Sequence, residues 1–171
     1  MRWMWIDRIV KIVPGRELVA VKTVSLSEDH LYQHFGDSGD TPAQPVMPAS
    51  LILEGCAQAG GLLVGHAGDF KEKVILAKIP KASIEREAAP GQTLRYTATL
   101  ERLDPAGALV NFVIELFDTP GDAPATIGTA EIVFSHADQN MAGLDLPEDN
   151  FVFAEAFSTL LASSGLPACT A

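Results

Sequence analysis

The chain has 171 residues, 47% of them hydrophobic, which is enough apolar material for one domain with a core and too much for wholesale disorder. Its formal charge of -10 argues against nucleic acid, whose affinity rests on lysine and arginine neutralising phosphates. An acidic surface also repels an acidic protein partner, so docking of one calls for a local basic patch; Lys71, Lys73, Lys78, Lys81 and Arg86 are the candidates.

Trp5 to Val13 is rich in Ile and Val and ends at the Pro14-Gly15 turn signal, and Leu18 to Val24 continues as a second β-branched run. Together they predict a hairpin. Ser25 to Gln44 carries Ser, Asp, Gly and Pro without a sustained period and is expected to be a loop. Pro48 opens a helix running to about His66, apolar nearly all round and therefore buried on most sides. Ser50, Glu54 and Gln58 fall at i, i+4 and i+8, forming one polar stripe along it. Gly55, Gly60, Gly61 and Gly65 weaken helix propensity but permit close approach to another backbone, which a sheet wrapped around the helix explains.

The second half reads as strands. Val74 to Ile84 is one, and Pro90-Gly91 turns the chain into a second. In Thr93 to Glu101, Leu94, Tyr96, Ala98 and Leu100 share a face. Leu109 to Phe117 repeats the pattern with Val110, Phe112, Ile114 and Leu116, and Thr126 to Phe134 follows after Thr119-Pro120-Gly121-Asp122. The order predicts an α+β fold: a hairpin, a long buried helix, and a meander of antiparallel strands around it over residues 1–136. Residues 137–171 read as a polar linker and a short C-terminal helix with Phe153, Phe157, Leu160 and Leu161 on its apolar face, packed on the domain or on a neighbouring subunit.

Cys56 reads as a small buried hydrophobe and Cys169 as part of a loose tail, so nothing calls for an oxidising compartment. Met1 to Val13 is broken by Asp7, Arg8 and Lys11 and makes a poor signal peptide, and Glu54, Gln58 and glycines interrupt the longest apolar stretch. A cytoplasmic protein with no membrane span is expected.

There is no phosphate-binding glycine loop, no G-x-S-x-G elbow and no zinc-ligand spacing. His30 and His34 sit four apart near Glu28 and Asp29, but that stretch lacks a third strong ligand, so no metal is expected. His66 and His136 read as structural. Glu54 is the anomaly: a carboxylate inside a nearly all-apolar helix is costly unless paired or protonated. Such a group serves equally as an acid or as a hydrogen-bonding partner across a helix or subunit contact. His34 lies before the helix in a segment that can fold over its N-terminus, and an imidazole is a natural base at neutral pH.

The words around these residues are specific: His34-Phe35, then Pro45-Val46-Met47-Pro48-Ala49-Ser50-Leu51-Ile52-Leu53-Glu54-Gly55-Cys56-Ala57-Gln58. They resemble the signature of the 3-hydroxyacyl-(acyl-carrier-protein) dehydratases of bacterial fatty acid synthesis, a hot-dog-fold family. The pattern of that family runs H-F-P-G-x-P-V-M-P-G-x-L-x-x-E-A-x-A-Q. Ile6-Asp7-Arg8, Pro14-Gly15, Lys22 and Pro90-Gly91 extend the likeness to roughly Trp3 to Ser135. The resemblance implies a hot-dog fold and a homodimer, with the histidine of one chain facing the acid of the other; whether dimers assemble further into hexamers is left open by the sequence. It implies dehydration of acyl-carrier-protein-bound substrate with no cofactor. By position it gives His34 as catalytic base, Glu54 as catalytic acid, the Ala49 backbone N–H as oxyanion donor, and Gln58 as the residue that orients the acid. Glutamate at position 54 resembles the plain dehydratase branch, since the branch that also isomerises the double bond has aspartate there.

Two departures stand out. Gly36 to Gln44 inserts six residues between the catalytic positions, and Ala49 replaces a glycine. Two rivals remain on this sequence: an acyl thioesterase or hydratase on the same fold, and an acyl-binding protein without turnover, which the insertion favours.

Overall fold

The computed structural model describes residues 3–33, 37, 39–40, 43–119, 121–137, 152 and 155–166. His34, Cys169, Phe153, four residues of the Gly36–Gln44 insertion (Gly36, Ser38, Thr41 and Pro42) and most of the linker after Ala137 lie outside these residues.

Six strands form one antiparallel sheet: β1 (Arg8–Val13), β2 (Glu17–Thr23), β3 (Val74–Ile84), β4 (Thr93–Asp104), β5 (Gly107–Phe117) and β6 (Ala125–His136), in the order β1-β2-β4-β5-β6-β3. Helix α2 (Ala49–Ala67) packs against β2 to β6, so the predicted α+β arrangement, a helix wrapped by an antiparallel sheet, is what the chain adopts. At 1.5 Å per residue its 19 residues span about 28 Å. Ile52, Cys56, Ala59, Leu62 and Leu63 are fully buried against the alternating inner faces of the strands, including Leu94, Tyr96, Ala98, Val110 and Ile114. Leu100, expected on that face, is only partly buried where a register shift near Arg102 disturbs the alternation.

The segment before α2 is fixed by Met47, whose side chain is fully buried and whose backbone N–H donates to the Ala88 carbonyl at 2.7 Å. Pro48 then stands as N-cap, and Ala49 begins the helix without a side-chain cap. Ala49 has no positive φ, so its methyl is compatible with the position.

The expected loop at 25–44 is interrupted by a short helix, α1 (Asp29–Gln33). One helical turn is too short to show a period; its anchors are the buried Leu31 and the His30 ring, edge-on to Trp5 with centroids 5.0 Å apart. The strand at Val74–Ile84 lies at the sheet edge and is exposed over most of its length. The basic patch shrinks accordingly. Lys73 is 7% exposed and Arg86 is paired with Asp118, leaving Lys71, Lys78 and Lys81 exposed.

The C-terminal helix α3 (Glu155–Ser163) packs on β1 of its own domain, with Leu160 and Leu161 buried and Ser164 Oγ accepting the Ile9 N–H at 3.0 Å. No described helix is long and apolar enough to cross a membrane.

Lys22 contradicts the habit of reading lysine as surface. It is 4% exposed, and its ammonium donates to Asp7 at 3.2 Å, to the Thr23 carbonyl at 2.9 Å and to Glu28. This ties the residues before β1 and the entry to α1 onto β2. Lys22→Met removes the cation and leaves two partly shielded carboxylates without it, so a loss of about 2 kcal/mol is expected, between the exposed-pair and buried-pair values because both acids keep some solvent. An unchanged urea midpoint would contradict the ion-pair assignment.

Burial pushes the Cys56 thiol far above its ordinary range, because the thiolate has no solvation there. In a Cys169→Ser background, Cys56 is expected to resist a thiol reagent at neutral pH until the protein is unfolded. Labelling of the native protein at the rate of a free thiol would show the core to be open.

Candidate active site

Glu54 projects from the second turn of α2 and Gln58 from the next, the i, i+4 stripe anticipated from sequence. Gln58 Nε2 donates to Glu54 Oε1 at 3.1 Å and to the Trp3 carbonyl, also at 3.1 Å. Gln58 Oε1 accepts the Trp5 N–H at 2.8 Å. Trp3 Nε1 donates to the same Glu54 oxygen at 3.1 Å. Both bonds to the carboxylate end on Oε1; Oε2 has no hydrogen bond among the described residues. Glu54 is half-buried in the protomer, not fully enclosed, whereas Gln58 is buried.

A cavity of about 300 Å³ opens beside the pair. Glu54, Gln58 and Trp3 supply its polar groups, and Ala57, Val74, Leu76 and Phe134 are among its apolar lining. The site therefore combines a carboxyl group held on one oxygen with an apolar cleft running along α2. Such a group can give or take a proton at its other oxygen while the first keeps its orientation.

Trp3 and Trp5 are the residues that sequence reasoning missed. They are the only tryptophans in the chain, two apart near its start, and their rings meet edge-to-face at 5.2 Å. Their bonds to the helix cross more than fifty positions, and no local pattern reports that.

Ala49 lies at the exposed N-terminus of α2, about 7 Å along the axis from Glu54. The start of that helix offers uncapped N–H groups at the positive end of its dipole. His34 follows directly on α1 and is not among the described residues. His30 Nε2 lies 3.7 Å from Glu28 Oε2, and His136 Nδ1 lies 2.9 Å from Glu72 Oε2. The His66 ring stacks edge-on to Phe70.

Comparison with known proteins bears on this arrangement directly. Residues 2–117 match the FabA-like domain. The chain is 39% identical over 101 residues to the 3-hydroxyacyl-(acyl-carrier-protein) dehydratase FabZ of Magnetococcus marinus, covering 57% of this chain and 62% of that protein. It is 36% identical over 99 residues to the protein of the same name from Clostridium tetani, covering 57% and 66%. The match thus spans a little under two thirds of these curated relatives. Among solved structures, the dehydratase heterocomplex ApeI:P from Xenorhabdus doucetiae superposes with a TM-score of 0.58 at 16% identity, over 78% of this chain and 83% of that one. The Escherichia coli PaaI protein superposes with a TM-score of 0.54 at 12% identity, over 75% and 77%. These structures share the fold, a helix wrapped by one antiparallel sheet. With the match covering most of the chain and carrying both Glu54 and Gln58, the protein belongs to the FabA-like family of hot-dog-fold proteins.

Proposed function

We propose that the protein dehydrates 3-hydroxyacyl thioesters carried on acyl carrier protein, giving trans-2-enoyl thioesters and water. The observation that carries this reading is the Glu54 carboxyl, oriented through one oxygen by Gln58 and Trp3 at the edge of an apolar cleft. Relatives at 35–39% identity that bear the dehydratase name support the same chemistry.

In this mechanism His34 takes the proton from the carbon beside the thioester carbonyl. Negative charge gathers on the carbonyl oxygen, where the Ala49 N–H at the positive end of α2 stabilises it. The bond to the 3-hydroxyl breaks as Glu54, protonated, gives it a proton. Water leaves and a carbon–carbon double bond remains; the imidazolium and the carboxylate then exchange protons with solvent. A base and an acid of different intrinsic strength suit the two transfers. Neither metal nor organic cofactor enters any step.

His34 follows α1, whose His30 contacts Trp5, and the Trp5 N–H is bonded to Gln58. The reading of His34 as the base that acts with Glu54 rests on the family motif in the sequence, with the histidine of one chain facing the acid of the other. The working form is a homodimer. The long exposed edge of β3, with Leu76 43% and Ile79 37% exposed, favours it, because an unpaired hydrophobic edge invites a second copy. Lys71, Lys78 and Lys81 offer the basic contact for an acidic carrier, and a carrier-bound substrate favours a cytoplasmic setting.

The test is ultraviolet absorbance of the enoyl thioester when the full chain meets 3-hydroxyacyl carrier protein, beside His34→Ala. Turnover that falls by about 10²–10⁴ in the variant is expected for loss of a general base. A folded protein inactive at every chain length would sink the dehydratase reading.

A further inference from the structure

The cleft beside Glu54 has a wall that does not come from the matched domain. Val152 and Phe157 line it together with Glu54, Ala57 and Phe134; all but Glu54 and Ala57 lie beyond residue 117, where the family match ends, and of these Phe134 still belongs to the sheet, on β6, whereas Val152 and Phe157 follow it. Phe157 is half-buried and stands on α3. That helix is firmly seated: one turn on, Leu160 and Leu161 are 5% and 1% exposed, Leu166 N–H donates to the Leu161 carbonyl at 2.9 Å, and Ser164 Oγ holds the Ile9 N–H of β1. An aromatic ring on so anchored a helix is a fixed obstruction. The other walls come from Trp3, α2, β3 and β6, so among the described residues Val152 and Phe157 are what the C-terminal extension supplies to the lining.

We infer that Phe157 and Val152 are specificity-determining residues that set how long an acyl chain the cleft accepts. This rests on the reading of the cleft as the acyl site. A saturated chain has no group for polar recognition, so its length is read by where the apolar walls stop it. Each methylene that gains burial improves binding about fourfold, and each that collides with a fixed ring loses at least as much. The two walls give opposite predictions. Phe157→Ala removes the ring and lengthens the cleft; Val152→Phe fills it and shortens the accepted chain. Neither residue touches the hydrogen bonds that hold Glu54.

The experiment measures affinities of saturated acyl-pantetheine thioesters from four to twelve carbons by calorimetry, on the full chain and both variants, with dehydration assayed alongside. Saturated thioesters cannot react, so binding is read independently of turnover. The expected result is a rise of at least tenfold in the twelve-to-four-carbon affinity ratio in Phe157→Ala and a comparable fall in Val152→Phe. The same length profile in all three folded proteins would overturn the inference, even if dehydration is observed. So would the absence of acyl binding at any length. A length-dependent shift without dehydration would leave the wall assignment standing and remove the proposed chemistry instead.

Discussion

Glu54→Gln is expected to lower dehydration by a factor of about 10²–10⁴ while leaving the thermal midpoint close to that of the parent. The amide keeps the size of the acid, and its carbonyl oxygen can accept the bonds that Gln58 Nε2 and Trp3 Nε1 now give to Oε1. What it cannot do is donate an acidic proton to a departing hydroxyl. The separation of activity from stability is the informative part. If Glu54 were only a tie between the N-terminal segment and α2, the glutamine variant would be nearly silent, because the tie survives. Glu54→Ala should behave differently, leaving the Trp3 and Gln58 donors without their acceptor and losing about 1–3 kcal/mol of stability as well as activity. Pairing Glu54→Gln with Gln58→Ala extends the test. Two residues acting as one unit give strongly non-additive losses in kcat, whereas independent contributions multiply. Full activity in Glu54→Gln would remove this residue from the chemistry.

The parts of the molecule that are legible in the sequence are those with a long local signal. Thr93–Asp104 and Gly107–Phe117 alternate over many residues, and the buried face of each is the one the alternation marks. Glu54 and Gln58 are legible because a polar stripe on an otherwise apolar helix stands out. What escaped has physical causes. Helix α1 is a single turn, shorter than any period it could display. The burial of Lys22 and Lys73 depends on tertiary packing, Lys22 being held by Asp7 and Glu28 from outside its own strand, and no periodic pattern distinguishes them from the exposed Lys78 and Lys81. The C-terminal pattern of Phe157, Leu160 and Leu161 announces an apolar face but not what it meets; two of these residues enter the core and the third lines the Glu54 cleft. Close approach of the sheet explains only some of the helix glycines, and that selectivity yields a sharp contrast in stability.

Gly60 and Gly61 are neighbours on α2, and substitutions at them are expected to move stability in opposite directions. Replacing a mid-helix glycine by alanine gains about 1 kcal/mol of propensity wherever the methyl finds room. At Gly61 it does: the nearest atom to the added carbon is Phe134 Cε1 at 3.8 Å, an ordinary contact. Gly61→Ala should therefore raise the midpoint by roughly 2–4 °C, the shift that about 1 kcal/mol produces in a domain of this size. At Gly60 the added carbon would stand 2.7 Å from the Cζ atoms of both Phe112 and Phe134. Each phenylalanine is 2% exposed, so a ring that gives way must displace its core neighbours or, for Phe134, intrude on the cleft it lines. Overpacking of this kind costs about 1–3 kcal/mol and outweighs the propensity gain even for alanine. Gly60→Val adds two further methyl groups against the same rings, and about 3 kcal/mol of lost stability is expected, a fall of roughly 6–12 °C. Thermal unfolding of the three variants beside the parent decides it. A rise for Gly61→Ala with a fall for Gly60→Val is the signature of a sheet closed tightly on one face of the helix and open at the cleft on the next. Equal stabilisation at both positions would mean that the sheet does not approach α2 at Gly60 as closely as its rings indicate.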